Sequence, residues 1–140
     1  MRDEHLDEVF EIEKYSFVTP WTKEALRKDI AENERAVYLV ASENGSVVGY
    51  AGMWHIINEG HITNIAVKED CRGRGVGGKI VAGLIEEARA REMIGLTLEV
   101  RISNIAAQRL YSKFGFAPEG FRKSYYEDTR EDAVIMWKYL

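Results

Sequence analysis

A glycine-rich segment, Arg72-Gly73-Arg74-Gly75-Val76-Gly77-Gly78, stands between a strand-like run at residues 62–67 and a helix-like run at 76–92. Glycine costs backbone entropy and helix propensity, so four of them at a helix start need a reason. They allow bare backbone N–H groups to approach a ligand closely. At a helix N-terminus that ligand is usually an anion, most often a phosphate. The segment therefore predicts a phosphate-binding loop.

Two well-known phosphate motifs fit this segment only in part. The spacing of Gly73 and Gly78 matches a P-loop, but Ile80 stands where a serine or threonine hydroxyl must hold magnesium. The glycines also match the dinucleotide-binding pattern, which requires them to follow a strand directly, whereas residues 68–72 intervene here. A plain solvated turn would not need so many glycines beside two arginines. The P-loop and the dinucleotide-binding motif are therefore discounted, and a plain turn is disfavoured.

Composition limits the class of protein. With 140 residues, 46% of them hydrophobic, and a net charge of -4, the chain predicts one globular domain over residues 1–140 that does not bind nucleic acid directly. No apolar run is long enough to span a bilayer, and the polar N-terminus does not resemble a signal peptide, so no membrane partner is expected. Cys71 is the only cysteine, which favours the reducing cytoplasm. His5, His55 and His61 are too scattered to predict a metal site.

Apolar periodicity and turn residues predict alternating helices and strands. A helix near residues 6–17 is broken by Val18-Thr19-Pro20-Trp21, and Thr22 caps a second helix that extends to about Asn33. The other predicted elements are a hairpin of strands 37–42 and 47–57, a turn at Asn58-Glu59-Gly60, a strand over 62–67, the helix over 76–92, a strand over 96–102, a helix capped by Ser103-Asn104 and ended by Gly115, and strands over 116–126 and 133–139. This order predicts a mixed α/β domain with partly antiparallel strands.

The glycine segment and the order of elements resemble the GCN5-related N-acetyltransferase superfamily. Its coenzyme A loop follows the pattern Arg/Gln-x-x-Gly-x-Gly/Ala, which is Arg72-Gly73-Arg74-Gly75-Val76-Gly77 in this chain. The resemblance implies a central, mostly antiparallel sheet flanked by helices, with a first strand that is short or missing here. It implies acetyl-CoA as co-substrate and no metal. The pyrophosphate would bind Arg72, Gly73, Arg74, Gly75, Val76, Gly77 and Gly78, and the pantetheine arm would bind the backbone of Ile65, Ala66 and Val67.

Acetyl transfer to an amine requires a base for the amine and an acid for the leaving thiolate. Glu99 interrupts the apolar strand Leu96-Thr97-Leu98-Glu99-Val100, where a carboxylate is out of place unless it faces a cleft. Tyr111 follows Asn104 by seven residues, so the two share one helix face. Its phenol, with an ordinary pKa of about 10, can protonate a thiolate of comparable basicity. A solvent-facing position for Glu99 and a core position for Tyr111 are the alternatives.

Segments outside the glycine loop narrow the resemblance. Five of them together resemble the bacterial and archaeal ribosomal-protein-alanine N-acetyltransferases. They are Ser16-Phe17-Val18-Thr19-Pro20-Trp21-Thr22, Asn64-Ile65-Ala66-Val67, Leu98-Glu99-Val100-Arg101-Ile102-Ser103-Asn104, Leu110-Tyr111-Ser112-Lys113-Phe114-Gly115-Phe116, and Tyr125-Tyr126 followed by Glu131-Asp132-Ala133-Val134-Ile135-Met136. The catalytic glutamate and tyrosine of that family fall on Glu99 and Tyr111. Its cofactor-contacting asparagine falls on Asn104.

This closer resemblance implies transfer of an acetyl group to the N-terminal α-amine of a protein, in this family a ribosomal protein. The amine would attack directly, with Glu99 as base, alone or through water, and Tyr111 as acid. Trp21, Glu59 and Tyr126 lie in segments expected to border the peptide entrance, although Glu59 could instead be a solvated turn acid. We expect a cytoplasmic monomer or weak homodimer. An acetyltransferase of a small-molecule amine and a non-catalytic coenzyme A-binding sensor are the alternative functions.

Overall fold

The computed structural model describes residues 3–16 and 20–140, and within them the chain forms four α-helices and six strands. The helices are α1 (Leu6–Ser16), α2 (Lys23–Glu32), α3 (Val76–Ala90) and α4 (Ile105–Lys113). The strands are β1 (Ala36–Glu43), β2 (Ser46–Ile56), β3 (Glu59–Val67), β4 (Gly95–Arg101), β5 (Ala117–Arg122) and β6 (Ala133–Tyr139). Single 3-10 turns, Asp3–His5 and Glu69–Cys71, precede α1 and α3. The predicted mixed α/β fold is confirmed.

One open sheet holds the six strands in the order β1-β2-β3-β4-β6-β5. Neighbours are antiparallel except β3 and β4, which pair in parallel. That parallel pairing covers only Glu59–His61 against Gly95–Thr97. Among the described residues, 62–67 of β3 and 98–101 of β4 do not pair with each other, so the sheet is split toward the glycine segment. We call the space between these two stretches the notch.

Helices cover the sheet on both faces. Tyr50 and Ala51 are adjacent in β2, yet Tyr50 packs in the apolar cluster of α1 and α2, whereas Ala51 packs in the larger cluster of α3. Because side chains alternate along a strand, the two clusters lie on opposite faces of the sheet. Leu26 of α2 and Leu84 of α3 are fully buried at the centres of these two cores.

A β-bulge at Thr63 changes the direction of side chains along β3. Gly52 lies opposite Asn64 and Met53 lies opposite Ile62, so Thr63 is an extra residue in this ladder. Ile62 therefore packs in the α3 cluster, while the side chain of Asn64 is buried on the face of α1. The bulge stands beside the notch.

The predicted helix caps are confirmed. Thr22 Oγ1 accepts a hydrogen bond from the Ala25 amide, and Asn104 Oδ1 accepts one from the Ala107 amide, both at 3.1 Å. Gly115 follows α4 with a φ of 93°, as expected of a glycine that ends a helix. No strand precedes α1 within residues 3–16, and no helix of the described chain is long and apolar enough to cross a bilayer.

The turn predicted at Asn58-Glu59-Gly60 is placed too late, because the structure has it at Ile57 and Asn58. The chain reverses earlier, at Ile57, whose φ is 57°, and Glu59 and Gly60 already belong to β3. Gly60 is a close-approach glycine, because a Cβ there would lie 2.4 Å from Leu96 Cδ2. Glu59 is therefore a strand residue and not an acid in a turn.

The strand predicted over 116–126 is too long at its C-terminal end. β5 ends at Arg122, and Ser124 has a left-handed φ of 50°. The residues that follow are held by contacts with Arg101, described below, and not by the sheet. Val18 and Thr19 of the predicted break after α1 lie outside the described residues.

Candidate active site

The notch leaves part of the β3 backbone unpaired. The Lys68 amide donates to Val48 O on β2 at 2.8 Å, and backbone groups alternate in direction along a strand. The N–H and C=O of Ala66 therefore face β2, whereas those of Ile65 and Val67 face the notch. Of the three residues predicted to bind an extended arm, Ile65 and Val67 have the suitable backbone orientation, and Ala66 does not.

The glycine segment divides into two pairs with different surroundings. Gly73 and Gly75 have φ angles of 79° and 82°, and no atom lies within 4 Å of where their side chains would stand. Gly77 and Gly78 pack against α4, with Cβ positions 3.2 Å from Leu110 and 3.5 Å from Phe114. The second pair therefore serves packing, whereas the sequence predicted that all four glycines allow close approach of a ligand. The first pair keeps the N-terminus of α3 open to a ligand.

Both arginines of the segment have partners in the protein. Arg72 Nε donates to Val67 O at 3.1 Å, at the end of the notch. Arg74 forms a bidentate ion pair with Glu43, with distances of 2.8 and 3.3 Å. Both side chains are exposed, so Arg74 can exchange this weak surface pair for a phosphate.

Glu99 lies on β4 at the notch, with 27% of its side chain exposed. Its neighbours Leu98 and Val100 point into the α3 core, so the carboxylate points to the opposite face. Oε1 forms an ion pair with Arg122 Nε at 3.3 Å, and the Arg122 guanidinium lies 5.7 Å from the centre of the Tyr125 ring. Sequence reasoning did not identify Arg122 as the counter-ion.

Tyr111 projects from α4 and packs on Phe116, with ring centres 6.0 Å apart. Burial raises the pKa of Tyr111 to about 12. The expectation of an ordinary phenol pKa is therefore wrong, since the hydroxyl stays protonated across the physiological range. Among the described residues, no hydrogen-bond partner occupies this hydroxyl.

Tyr126, which is predicted to border the peptide entrance, is linked through its neighbours to the predicted base. Its pKa is raised to about 12, first by burial; the Arg101 charge opposes this rise, while Tyr125, Glu99 and Tyr111 add to it. Contacts lead from Tyr126 to Glu99, because the Tyr125 ring lies 5.1 Å from the Tyr126 ring and Arg122 lies beside Tyr125 and pairs with Glu99. Glu99 and Tyr126 therefore belong to one cluster of side chains.

Arg101, at the end of β4, holds the segment between β5 and β6. Its guanidinium pairs with Asp128 at 2.8 and 3.1 Å and with Glu131 at 3.2 Å. It also lies 4.0 Å from the centre of the Tyr126 ring. The chain from β5 to β6 is thus shaped around one side chain. Sequence reasoning missed this role, although the cluster of acids at 127–132 was a signal.

We expect this hold on Tyr126 to weaken only in acid. The hydrogen bond from Arg101 lowers the pKa of Asp128, and bonds from Ser103, Thr129 and Arg101 lower the pKa of Glu131. Because both values are lowered on folding, their stabilising effect is complete above the ordinary carboxyl pKa of about 4 and is lost as the pH falls below it. Tyr126 ring NMR shifts should therefore change below about pH 4. A change already complete above pH 5 would contradict this assignment.

The other predicted site residues lie in separate places, and Glu59, opposite Gly95, is four residues along β4 from Glu99. Asn104 caps α4 through its side-chain oxygen. Glu59 Oε1 lies 3.1 Å from His61 Nε2 where β3 and β4 are still paired. Trp21 lies between α1 and α2, partly buried against their apolar cluster, and its amide donates to Glu13 at 2.9 Å. Residues 3–16 and 20–140 contain no group of three His, Cys, Asp or Glu side chains that could hold a metal.

Comparison with known proteins identifies the family. The model of the acetyltransferase (GNAT) family matches residues 6–116. This chain belongs to that family. The acetyltransferase is 45% identical over 137 residues to a putative [ribosomal protein bS18]-alanine N-acetyltransferase of Bacillus subtilis, covering 98% of this chain and 91% of that protein. It is 34% identical to the [ribosomal protein bS18]-alanine N-acetyltransferase of Escherichia coli K12, covering 94% and 88%.

Comparison with solved structures supports the same family. The crystal structure of the ribosomal-protein-S18-alanine N-acetyltransferase from Escherichia coli matches this acetyltransferase with a TM-score of 0.91 and 32% identity, over 99% of this chain and 90% of that one. Ard1 from Thermoplasma volcanium matches with a TM-score of 0.88 and 28% identity, over 100% and 94%. The predicted superfamily and enzyme class are confirmed.

Proposed function

We propose that this acetyltransferase moves the acetyl group of acetyl-CoA to the N-terminal α-amine of a ribosomal protein. We infer an alanine at that N-terminus, because the names of the enzyme's relatives specify an alanine of ribosomal protein bS18. The observation that carries this proposal is the cluster that joins Glu99 to Tyr126 through Arg122 and Tyr125 at the notch. A base on β4 and an acid on α4, beside an unpaired strand edge, suit an amine and an extended thioester.

The residues at the notch fit coenzyme A. Gly73 and Gly75 leave open space at the N-terminus of α3, where backbone N–H groups attract phosphate. The backbone groups of Ile65 and the Val67 N–H can pair with the amides of an extended arm, whereas Val67 O already accepts a hydrogen bond from Arg72. Acetyl-CoA supplies an activated acetyl thioester when bound. The Ile65 N–H, beside the bulge, is suited to hydrogen-bond the thioester oxygen, where negative charge develops.

Glu99 and Tyr111 supply the proton transfers. An α-amine has an ordinary pKa of about 7.7–8.0, so roughly a tenth of it is neutral at pH 7 and can attack directly. The rest is ammonium, which cannot attack until a base removes a proton. Glu99 receives that proton, directly or through a water molecule. Tyr111, which remains protonated, donates to the departing sulfur. Glu99 then releases its proton to solvent. The nitrogen loses a second proton as the amide forms, and this proton returns to Tyr111, directly or through water, so both residues are reset after thiol release.

The peptide side is lined by residues from three elements. Tyr126, held by Arg101, forms one wall, and Trp21 forms another. Glu59, at the paired end of β3, can attract the ammonium group. A ribosomal-protein substrate would place the enzyme in the cytoplasm, and a monomer or weak homodimer is our expectation for its assembly.

Thiol release with defined acceptors tests this function. We expect release from acetyl-CoA with a peptide that begins with a free alanine, and none with the same peptide blocked at its N-terminus but carrying a free lysine. Release with small amines and not with peptides would support the small-molecule alternative. Binding of acetyl-CoA without any release would support a sensor. Either outcome would refute protein N-terminal acetylation.

A further inference from the structure

Glu13 is a buried acid that the reaction does not use. It lies on α1 with 1% of its surface exposed, and its position, four residues after Val9, places it on the apolar face of that helix. A buried carboxylate is costly unless hydrogen bonds compensate for the lost water. An apolar side chain could fill this place without that cost, so the carboxylate needs another explanation.

Three donors, from the connection before α2 and from two strands, reach this carboxylate. The Trp21 amide donates to Oε2 at 2.9 Å. The Tyr50 hydroxyl of β2 donates to Oε1, and Asn64 Nδ2 of β3 lies 3.4 Å from the same oxygen and 3.2 Å from the Tyr50 hydroxyl oxygen. Burial and the Glu13 charge both raise the pKa of Tyr50, so its proton stays in this network at all working pH values.

The network joins the peptide side to the notch. Asn64 Oδ1 accepts a hydrogen bond from Thr63 Oγ1 at 2.7 Å, and Thr63 is the extra residue of the β3 bulge. Asn64 precedes Ile65, whose backbone faces the notch. Trp21 stands at the other end of the network. One side chain therefore fixes the backbone at Trp21 relative to the strand that carries the free edge.

We propose that Glu13 is a positioning residue that holds the Trp21 backbone in place as a preformed wall of the peptide site. The inference rests on the proposed function in that Trp21 borders the peptide. Without the anchor, the peptide itself must order this segment, and the cost of ordering appears in peptide affinity. Acetyl-CoA contacts a different part of the notch and does not meet this cost.

A pair of variants removes the acceptor of the Trp21 amide. The double variant also removes both acceptors of Asn64 Nδ2, and hydrogen exchange of the Trp21 amide, described below, distinguishes the two losses. Tyr50→Phe removes one donor but keeps the Glu13 carboxylate and its bond to the Trp21 amide. Tyr50→Phe combined with Glu13→Met removes the acceptor as well, in a side chain of similar volume, and leaves no unpaired Tyr50 hydroxyl. Tyr38→Phe is a matched control, because the Tyr38 hydroxyl also donates to a carboxylate, that of Asp29, on a different helix.

We expect the double variant to raise the peptide KM about tenfold over Tyr50→Phe, the effect of losing one hydrogen bond to a charged group. Its kcat and acetyl-CoA KM should stay within about twofold, and Tyr38→Phe should leave the peptide KM unchanged. An equal rise in the KM of both substrates would mean general loss of structure and would overturn the proposal. An unchanged peptide KM would overturn it too.

Hydrogen exchange of the Trp21 amide tests the anchor without any activity. In the wild-type protein and in Tyr50→Phe, NMR should show this amide protected, and in the double variant it should exchange at least about tenfold faster. If the wild-type amide exchanges as fast as an unprotected one, Glu13 is not an anchor. Should the wild-type enzyme release no thiol with any peptide, the proposed function fails, and this exchange measurement still decides the role of Glu13.

Discussion

Replacing Tyr111 with phenylalanine should lower kcat by about 10²–10⁴-fold, the usual contribution of a general acid, while both KM values stay within about twofold. The substitution removes only the hydroxyl, so the ring keeps its packing on Phe116. Because the pKa of Tyr111 is raised to about 12, the wild-type rate should not fall between pH 8 and 10 through ionisation of this group. Steady-state thiol release across that range measures both effects.

Tyr139→Phe is the matched control for this prediction. Tyr139 is an exposed residue of β6 whose hydroxyl donates to Glu119 on β5. Removal of this hydroxyl should leave kcat unchanged. An undiminished kcat in Tyr111→Phe would refute the role of Tyr111 as acid. A loss confined to KM would instead indicate that the hydroxyl only contacts substrate.

Replacing Glu99 with glutamine should lower kcat/KM for the peptide by about 10²-fold at pH 7, and this deficit should shrink as the pH rises. The reason is that the α-amine, with an ordinary pKa of about 7.7–8.0, becomes neutral without help above pH 8. Between pH 7 and 9 the variant should recover about tenfold relative to the wild type. The measurement is kcat/KM for the peptide as a function of pH, in the wild-type enzyme and in Glu99→Gln.

Glu119→Gln removes an exposed acid on β5 and should change neither rate nor profile. A deficit in Glu99→Gln that stays constant from pH 7 to 9 would mean that Glu99 contributes through geometry or charge and does not receive the proton. Full activity at pH 7 would exclude it from the reaction.

Local features of the chain could be predicted from the sequence. The strand, glycine segment and helix around Gly75 follow from residue type, as do the caps at Thr22 and Asn104, because each depends on neighbours within a few positions. Contacts between distant residues could not be predicted. Gly60 suggested a turn, but this position requires a glycine because Leu96 of another strand leaves no room for a side chain.

The same limit applies to the candidate site. Glu99 and Tyr111 were singled out because their chemistry was needed, whereas Arg101, Arg122 and Glu13 act through partners between 8 and 51 residues away. Only the folded chain shows which of many charged side chains meet. The pKa of Tyr111 likewise depends on burial among distant apolar groups.

The short parallel pairing of β3 with β4 has a thermodynamic consequence. Backbone pairing joins the two halves of the sheet directly at only Glu59–His61 and Gly95–Thr97. A ligand that bridges the notch takes the place of a missing strand. The notch exists only in the folded state, so the ligand binds the folded protein and not the unfolded chain. Its binding free energy then adds to the free energy of unfolding, by about 2.7 kcal/mol when its free concentration is a hundred times Kd. The melting temperature of this protein should therefore report the concentration of its acetyl donor.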